Sequence, residues 1–184
     1  MGGMGRRLRF VPADSTPVKG AHVRDHQEGD LSEQYGQDLA GDVRHQNVAL
    51  VEKMYECFNK GDMDTIKKEV FAETLEWTLP GRNPVGGVKY GADEVIAFFG
   101  GLVRSGIRVD LVKIDAWGDD TVVEVHRGYG ESKGAKLDAL NCTHYHISDG
   151  RIAEVKVYMG DQYGADNFFW AAYELKPIPD RWAD

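Results

Sequence analysis

Apolar residues recur along this chain with two different periods, and the change from one to the other falls just past its middle. In NVALVEKMYECFNKGD (47–62) they stand at Val48, Leu50, Val51, Met54, Tyr55 and Phe58, the spacing of one helical face. Asn47 suits an N-cap there and Gly61 a C-terminal stop. MDTIKKEVF predicts a short second helix. LEWTLPG then alternates, with Leu75, Trp77 and Leu79 to one side and Glu76 and Thr78 to the other, until Pro80-Gly81 ends it. That pattern is a strand. GRNPVGGVKYG reads as a loop, and ADEVIAFFGGLVRS as a third amphipathic helix.

Strand periodicity takes over beyond that helix. IRVDLVKIDAW breaks at Gly118-Asp119-Asp120, TVVEVHRGYGES breaks near Lys133-Gly134, and AKLDALNCTHYHI turns at Ser148-Asp149-Gly150 into RIAEVKVYM. Connections this short join antiparallel neighbours. The expected fold class is therefore α+β, a curved antiparallel sheet with three N-terminal helices packed on one face. Three segments are expected: an extension over 1–44, loosely ordered or a lid, a domain over 45–163, and an aromatic tail over 164–184. The extension shows no lasting period and is rich in Gly, Asp, Gln, Glu and His. The tail carries Phe168, Phe169, Trp170 and Tyr173, suited to packing on the domain, closing the pocket or a dimer contact.

Turn geometry predicts which residues face inward. A three-residue Ser148-Asp149-Gly150 loop pairs Ile147 with Arg151, Tyr145 with Ala153, Thr143 with Val155 and Asn141 with Val157. Opposite residues share a face, so Asn141, Thr143, Tyr145, Ile147, Ala153, Val155, Val157 and Met159 form an apolar inner face. Cys142, His144, His146, Glu154, Lys156 and Tyr158 point outward. A two-residue Asp149-Gly150 turn is the alternative, and it shifts this pairing. On the preceding strand the same parity places Val123, Val125, Arg127 and Tyr129 inside, with Glu124 and His126 outside. An inward Arg127 demands a carboxylate, a ring face or an anionic ligand, unless it reaches solvent at the rim. His144-x-His146 lacks further ligands, because simple pairing puts His126 opposite Leu140; no metal site is expected.

Composition narrows the partners. The chain has 184 residues, 42% hydrophobic and 28% charged, with a formal net charge of −8. That charge argues against nucleic acid or an anionic membrane as partner. Cys57 and Cys142 stand apart in no ligand spacing and suit a reducing compartment. The N-terminal MGGMGRRLRF lacks the apolar core of a signal peptide, and Arg6 stands where a myristoylation signal has Ser or Thr. No apolar run reaches membrane-span length. A cytoplasmic protein is expected.

The element order, together with FAETLEWTLPG, YGADEVIAFF and the hairpin ISDGRIAEVKVYM, resembles the nuclear transport factor 2-like superfamily. Within it the chain is most similar to SnoaL-like and ketosteroid-isomerase-like proteins, over roughly residues 47–161. The resemblance implies a cone-shaped sheet with the helices on its concave face, a deep apolar pocket, and a homodimer through the outer sheet face. The scaffold hosts isomerases, dehydratases, cyclases, epoxide hydrolases and non-enzymes, so it does not name an activity. The ketosteroid-isomerase pattern of an Asp base, a tyrosine and an oxyanion-hole Asp falls on Leu79, Met54 (beside Tyr55) and Thr143. The epoxide-hydrolase Arg and two Asp fall on Val125, Arg127 and Val157, and the cyclase His and Asp on Thr143 and Val157. None of those carboxylate sets is present.

Two functions remain open. The first is a cofactor-independent lyase or isomerase acting on a hydrophobic, aromatic or polycyclic small molecule. Its steps would be proton transfer, dehydration, cyclisation or a retro-aldol-like cleavage. Arg127, Tyr129 and Tyr145 are its candidate catalytic residues, stabilising developing negative charge. Trp77, Asn141, Thr143 and Val157 are its candidate substrate contacts. A general base is missing, with Asp161, Glu28 and His144 as the candidates. The second is a non-catalytic module that holds an apolar ligand or a protein.

Overall fold

The computed structural model describes residues 37–173. Glu28 and residues 1–36 of the expected 1–44 extension, and with them the lid reading, lie outside the described residues. Helix α1 (Gln37–Lys60) leads into a single turn, α2 (Met63–Thr65), which continues as a π-turn over Ile66–Val70. Strand β1 (Phe71–Leu79), β2 (Gly87–Tyr90) and α3 (Gly91–Ser105) follow. The meander is β3 (Arg108–Ala116), β4 (Thr121–Ser132), β5 (Ala135–Ser148) and β6 (Arg151–Tyr158), and α4 (Gln162–Ala172) closes the described chain.

The six strands form one sheet in the order β2-β1-β6-β5-β4-β3. Every neighbour is antiparallel except β1 and β6, whose pairing is parallel. Helix α1 packs against β3 and β4, α3 against β1, and α4 against β4 and β5. This is the expected α+β fold, with a fourth helix added. Strand β2, which pairs Lys89 with Trp77, replaces the loop expected there; Gly and Pro hid it, and four residues are too few to show a period.

Helix α1 begins ten residues before the expected N-cap. Val43, Arg44 and Gln46 are exposed, so no apolar stripe marks the first turns. Asn47 is a buried mid-helix residue whose Nδ2 donates to the Asp119 carbonyl at 2.9 Å, tying the helix to the β3–β4 turn. The expected stop is where it should be. Gly61 has a φ of 75°, and Asp62 N–H donates to Cys57 O at 2.9 Å, a left-handed C-terminal closure.

The core is an aromatic wedge between the helices and the sheet. Trp77 meets Phe99 edge-on at 5.1 Å, and Phe99 meets Phe58 at 5.1 Å. Such pairs add roughly 0.5–1.5 kcal/mol each beyond their burial. Leu75, Trp77 and Leu79 are all buried, as the alternation in β1 requires.

Two turns decide the faces of the meander. The β5–β6 connection is the two-residue Asp149-Gly150 turn, with φ of 50° and 69°, and it pairs Ser148 with Arg151 and Ile147 with Ile152. A bulge then leaves Ala153 unpaired, and Tyr145 meets Val155 and Thr143 meets Val157. The three-residue loop is thus corrected. The bulge supplies the missing residue, so the inner face of β5 is as expected, while on β6 Ile152 is buried where Ala153 was expected.

No bulge compensates on the other side of β5. Lys133-Gly134, with φ of 46° and 86°, forms a two-residue turn that pairs Ser132 with Ala135, and the uninterrupted ladder then pairs His126 with Asn141 and Glu124 with Thr143. The register is one residue from the expected one, and a one-residue slip exchanges the faces. Val122, Glu124, His126 and Gly128 are inside; Arg127 is exposed, and Tyr129 shares its outer face.

Candidate functional site

The space between sheet and helices is a cavity of about 110 Å³. Its walls are apolar and largely aromatic, with Phe58, Trp77, Phe98, Phe99 and Phe169 among them. The polar exceptions are Tyr55 and Asn59 from α1, Glu124 and His126 from β4, and Asn141, Thr143 and Tyr145 from β5.

Some of these polar groups form a chain of hydrogen bonds. Tyr55 Oη donates to Glu124 Oε1 at 2.7 Å, and His126 Nδ1 lies 3.1 Å from the same oxygen. His126 Nε2 lies 3.3 Å from Asn141 Nδ2, and Asn141 Oδ1 accepts from Gly160 N–H at 3.2 Å. Burial, reinforced by the Glu124 charge, holds the Tyr55 and Tyr145 hydroxyls well above the usual tyrosine range. Both therefore remain protonated, and Tyr145 lies beside Tyr55 and Glu124 in the same cluster.

The histidine tautomer follows from its two neighbours. Glu124 Oε1 is an acceptor, so Nδ1 carries the proton that meets it. Asn141 has its carbonyl oxygen committed to Gly160, so its amide N–H faces Nε2 and finds a lone pair there. A carboxylate on Nδ1–H and an unprotonated Nε2 are the arrangement of an oriented imidazole base. Glu124 is 1% exposed and His126 9%. Asn141→Asp reverses the bond, because a carboxylate oxygen draws the proton to Nε2. We expect ¹⁵N spectra to show protonated Nε2.

The other candidates divide cleanly. Trp77, Asn141, Thr143, Tyr145 and Val157 line the cavity, as expected. Arg127 and Tyr129 do not. Arg127 Nε and Nη2 each donate to Asp138 at 2.6 Å on the outer face, and its guanidinium lies 4.8 Å from the Tyr129 ring. The inward placement of Arg127 and Tyr129 is corrected by the β4–β5 register, which meets the cost of the charge at the surface. Asp161 N-caps α4, accepting from Gly164 N–H at 2.8 Å. His144 and His146 lie on the outer face, and among the described residues no group of three or more His, Cys, Asp or Glu side chains could hold a metal ion.

Glu124 and His126 were the residues that sequence reasoning missed. The signal was available in Lys133-Gly134, since a two-residue hairpin turn ending in glycine puts even-numbered β4 residues opposite odd-numbered β5 residues.

One wall is held by a latch. Asp166 of α4 accepts from Asn83 Nδ2 at 2.7 Å, Gln162 Nε2 at 2.9 Å and Arg82 N–H at 3.2 Å, and Trp170 Nε1 donates to Arg82 O at 2.6 Å. Burial pushes the Asp166 carboxyl up, but these three donors outweigh it and hold it below its ordinary value of 3.8. A carboxyl lowered in the folded state stabilises above its unfolded value and loses that contribution as pH falls through its folded one. Asp166→Asn is therefore expected to lower the Tm at pH 7, with the gap from wild type narrowing below pH 3.8. Thermal unfolding across that range checks it; a gap that does not change with pH would assign the loss to packing.

The SnoaL-like domain model matches residues 51–155, more than half of the chain. The protein belongs to the SnoaL-like domain family, and its fold is that of nuclear transport factor 2-like proteins. Among solved structures, Bal32a from a soil-derived mobile gene cassette is 30% identical, with a TM-score of 0.63 over 69% of this chain and 98% of Bal32a. A putative SnoaL-like polyketide cyclase from Jannaschia sp. CCS1 is 19% identical, with a TM-score of 0.57 over 70% of this chain and 94% of its own. The uncharacterized protein Rv0034 of Mycobacterium tuberculosis is 26% identical over 128 residues, 68% of this chain and 96% of that protein. No described helix is long and apolar enough to cross a membrane.

Proposed function

We propose that the protein is a cofactor-independent enzyme of the lyase or isomerase type, acting on a compact hydrophobic molecule through His126 as general base. The observation that carries this is the buried Glu124–His126 pair, with its Nε2 lone pair, on the wall of an otherwise apolar cavity. Burying ionisable groups is costly without a compensating role or partner. His126 Nε2 takes a proton from the substrate, and the imidazolium that forms is stabilised by the adjoining Glu124 carboxylate. Tyr55 and Tyr145 keep that carboxylate aimed. The 3.3 Å contact from Asn141 is loose enough for a substrate hydrogen to displace it.

Size argues for a substrate of about one ring. An apolar cavity of roughly 150 Å³ takes up benzene, and this one is about 110 Å³. A polycyclic substrate would need the walls to move apart.

The test pairs binding with exchange. Ligands are found by thermal shift on the full chain, and each is then incubated in D₂O and followed by NMR for deuterium entering an acidic C–H position. Exchange or turnover that disappears in His126→Ala supports the enzyme. Saturable binding of several such ligands, with neither exchange nor turnover, would leave only a binding module.

A further inference from the structure

Two polar atoms around the cavity have no partner, and they are of opposite kinds. Glu124 Oε2 is an acceptor and Trp77 Nε1 a donor; both are buried without a hydrogen bond. Their residues both line the cavity and are 1% and 5% exposed. Tyr55 O–H and His126 Nδ1–H converge on the other oxygen of the same carboxylate. A buried polar atom left unmade costs free energy that a ligand group can recover.

Resting on the enzyme reading only in that it takes this cavity as the ligand site, we propose that the ligand is a neutral, hydroxyl-bearing molecule of about one ring. Its hydroxyl hydrogen is donated to Glu124 Oε2. An oxygen, of that hydroxyl or of a carbonyl beside it, accepts from Trp77 Nε1–H.

Charge decides the rest of the class. Among the described residues, Glu124 and His126 are the only Asp, Glu, His, Lys or Arg side chains on the cavity wall. A carboxylate ligand meets Glu124 with like charge in an apolar setting and is rejected. An ammonium ligand must shed its water into a site where Glu124 already receives two donors. A plain hydrocarbon leaves both atoms unpaired, and a site built to hydrogen-bond a hydroxyl discriminates strongly against an analogue lacking one.

Calorimetric titration of the full chain with benzyl alcohol, toluene, benzoate and benzylamine tests this. Benzyl alcohol is expected to bind at least about tenfold more tightly than toluene, with benzoate and benzylamine weaker still. Trp77→Phe, which keeps a ring and removes the N–H, is expected to weaken benzyl alcohol by a larger factor than toluene. Glu124→Gln exchanges the spare acceptor for a donor and is expected to shift preference from benzyl alcohol to benzaldehyde. Toluene binding as tightly as benzyl alcohol, tighter binding of either charged probe, or no saturable binding by any of them would overturn the assignment. His126→Ala separates this from catalysis: benzyl alcohol still bound by that variant, with no exchange on any wild-type ligand, would retain the ligand class and remove the base.

Discussion

His126→Ala is expected to lower kcat/KM by about 10²- to 10⁴-fold, the usual worth of a positioned general base, while the protein stays folded. The side chain is held by two hydrogen bonds and closes no aromatic contact of the core. Its removal also leaves Glu124 without one donor, although Tyr55 still reaches Oε1 at 2.7 Å. His126→Gln separates shape from chemistry, since it fills most of the volume and provides no base in the neutral range. Steady-state rates of both variants, on any compound that shows exchange with wild type, are the measurement. A glutamine variant within a few-fold of wild type would assign the proton transfer to another group.

Phe168→Ala is expected to remove about 3–5 kcal/mol of folding stability, the range for deleting a buried phenylalanine ring. Total stabilities of ordinary domains are about 5–15 kcal/mol, so the loss is a large share. Phe168 is fully buried, packed against Phe169 at 5.3 Å between ring centres. Its ring lies where a Cβ on Gly130 would come within 3.2 Å, so glycine on β4 is what lets α4 approach the sheet. Phe169, next in the chain, is part of the cavity wall. Helix α4 is thus a structural wall of the domain, and chemical denaturation of Phe168→Ala measures how much of it. A loss below about 1 kcal/mol would make the helix an appendage.

Much of this architecture was legible because periodicity reports burial. The stripe from Val48 to Phe58 marks the inner face of α1, and the alternation through Leu75, Trp77 and Leu79 marks that of β1. Tyr145, Thr143 and Asn141 were correctly read as inward even though the turn beside them was misread, because the bulge at Ala153 restored the parity. The start of α1 was not legible, since QDLAGDVRHQ carries no recurring apolar spacing. Strand β4 carried an ambiguous pattern. Val123 and Val125 alternate with Glu124 and His126, and hydropathy alone sends the valines inward and the charges out.

The chain by itself determined the order of elements, the α+β class, the aromatic core and the inner face of β5, all of which depend on local period and turn chemistry. Only the tertiary structure decided which face of β4 meets the cavity, because that depends on the register of β4 on β5. The same register carries Arg127 out to Asp138 and brings Glu124 and His126 in beneath Tyr55 of α1. A carboxylate and an imidazole are stable there because Tyr55 and Asn141, distant in sequence, supply hydrogen bonds that water would otherwise make.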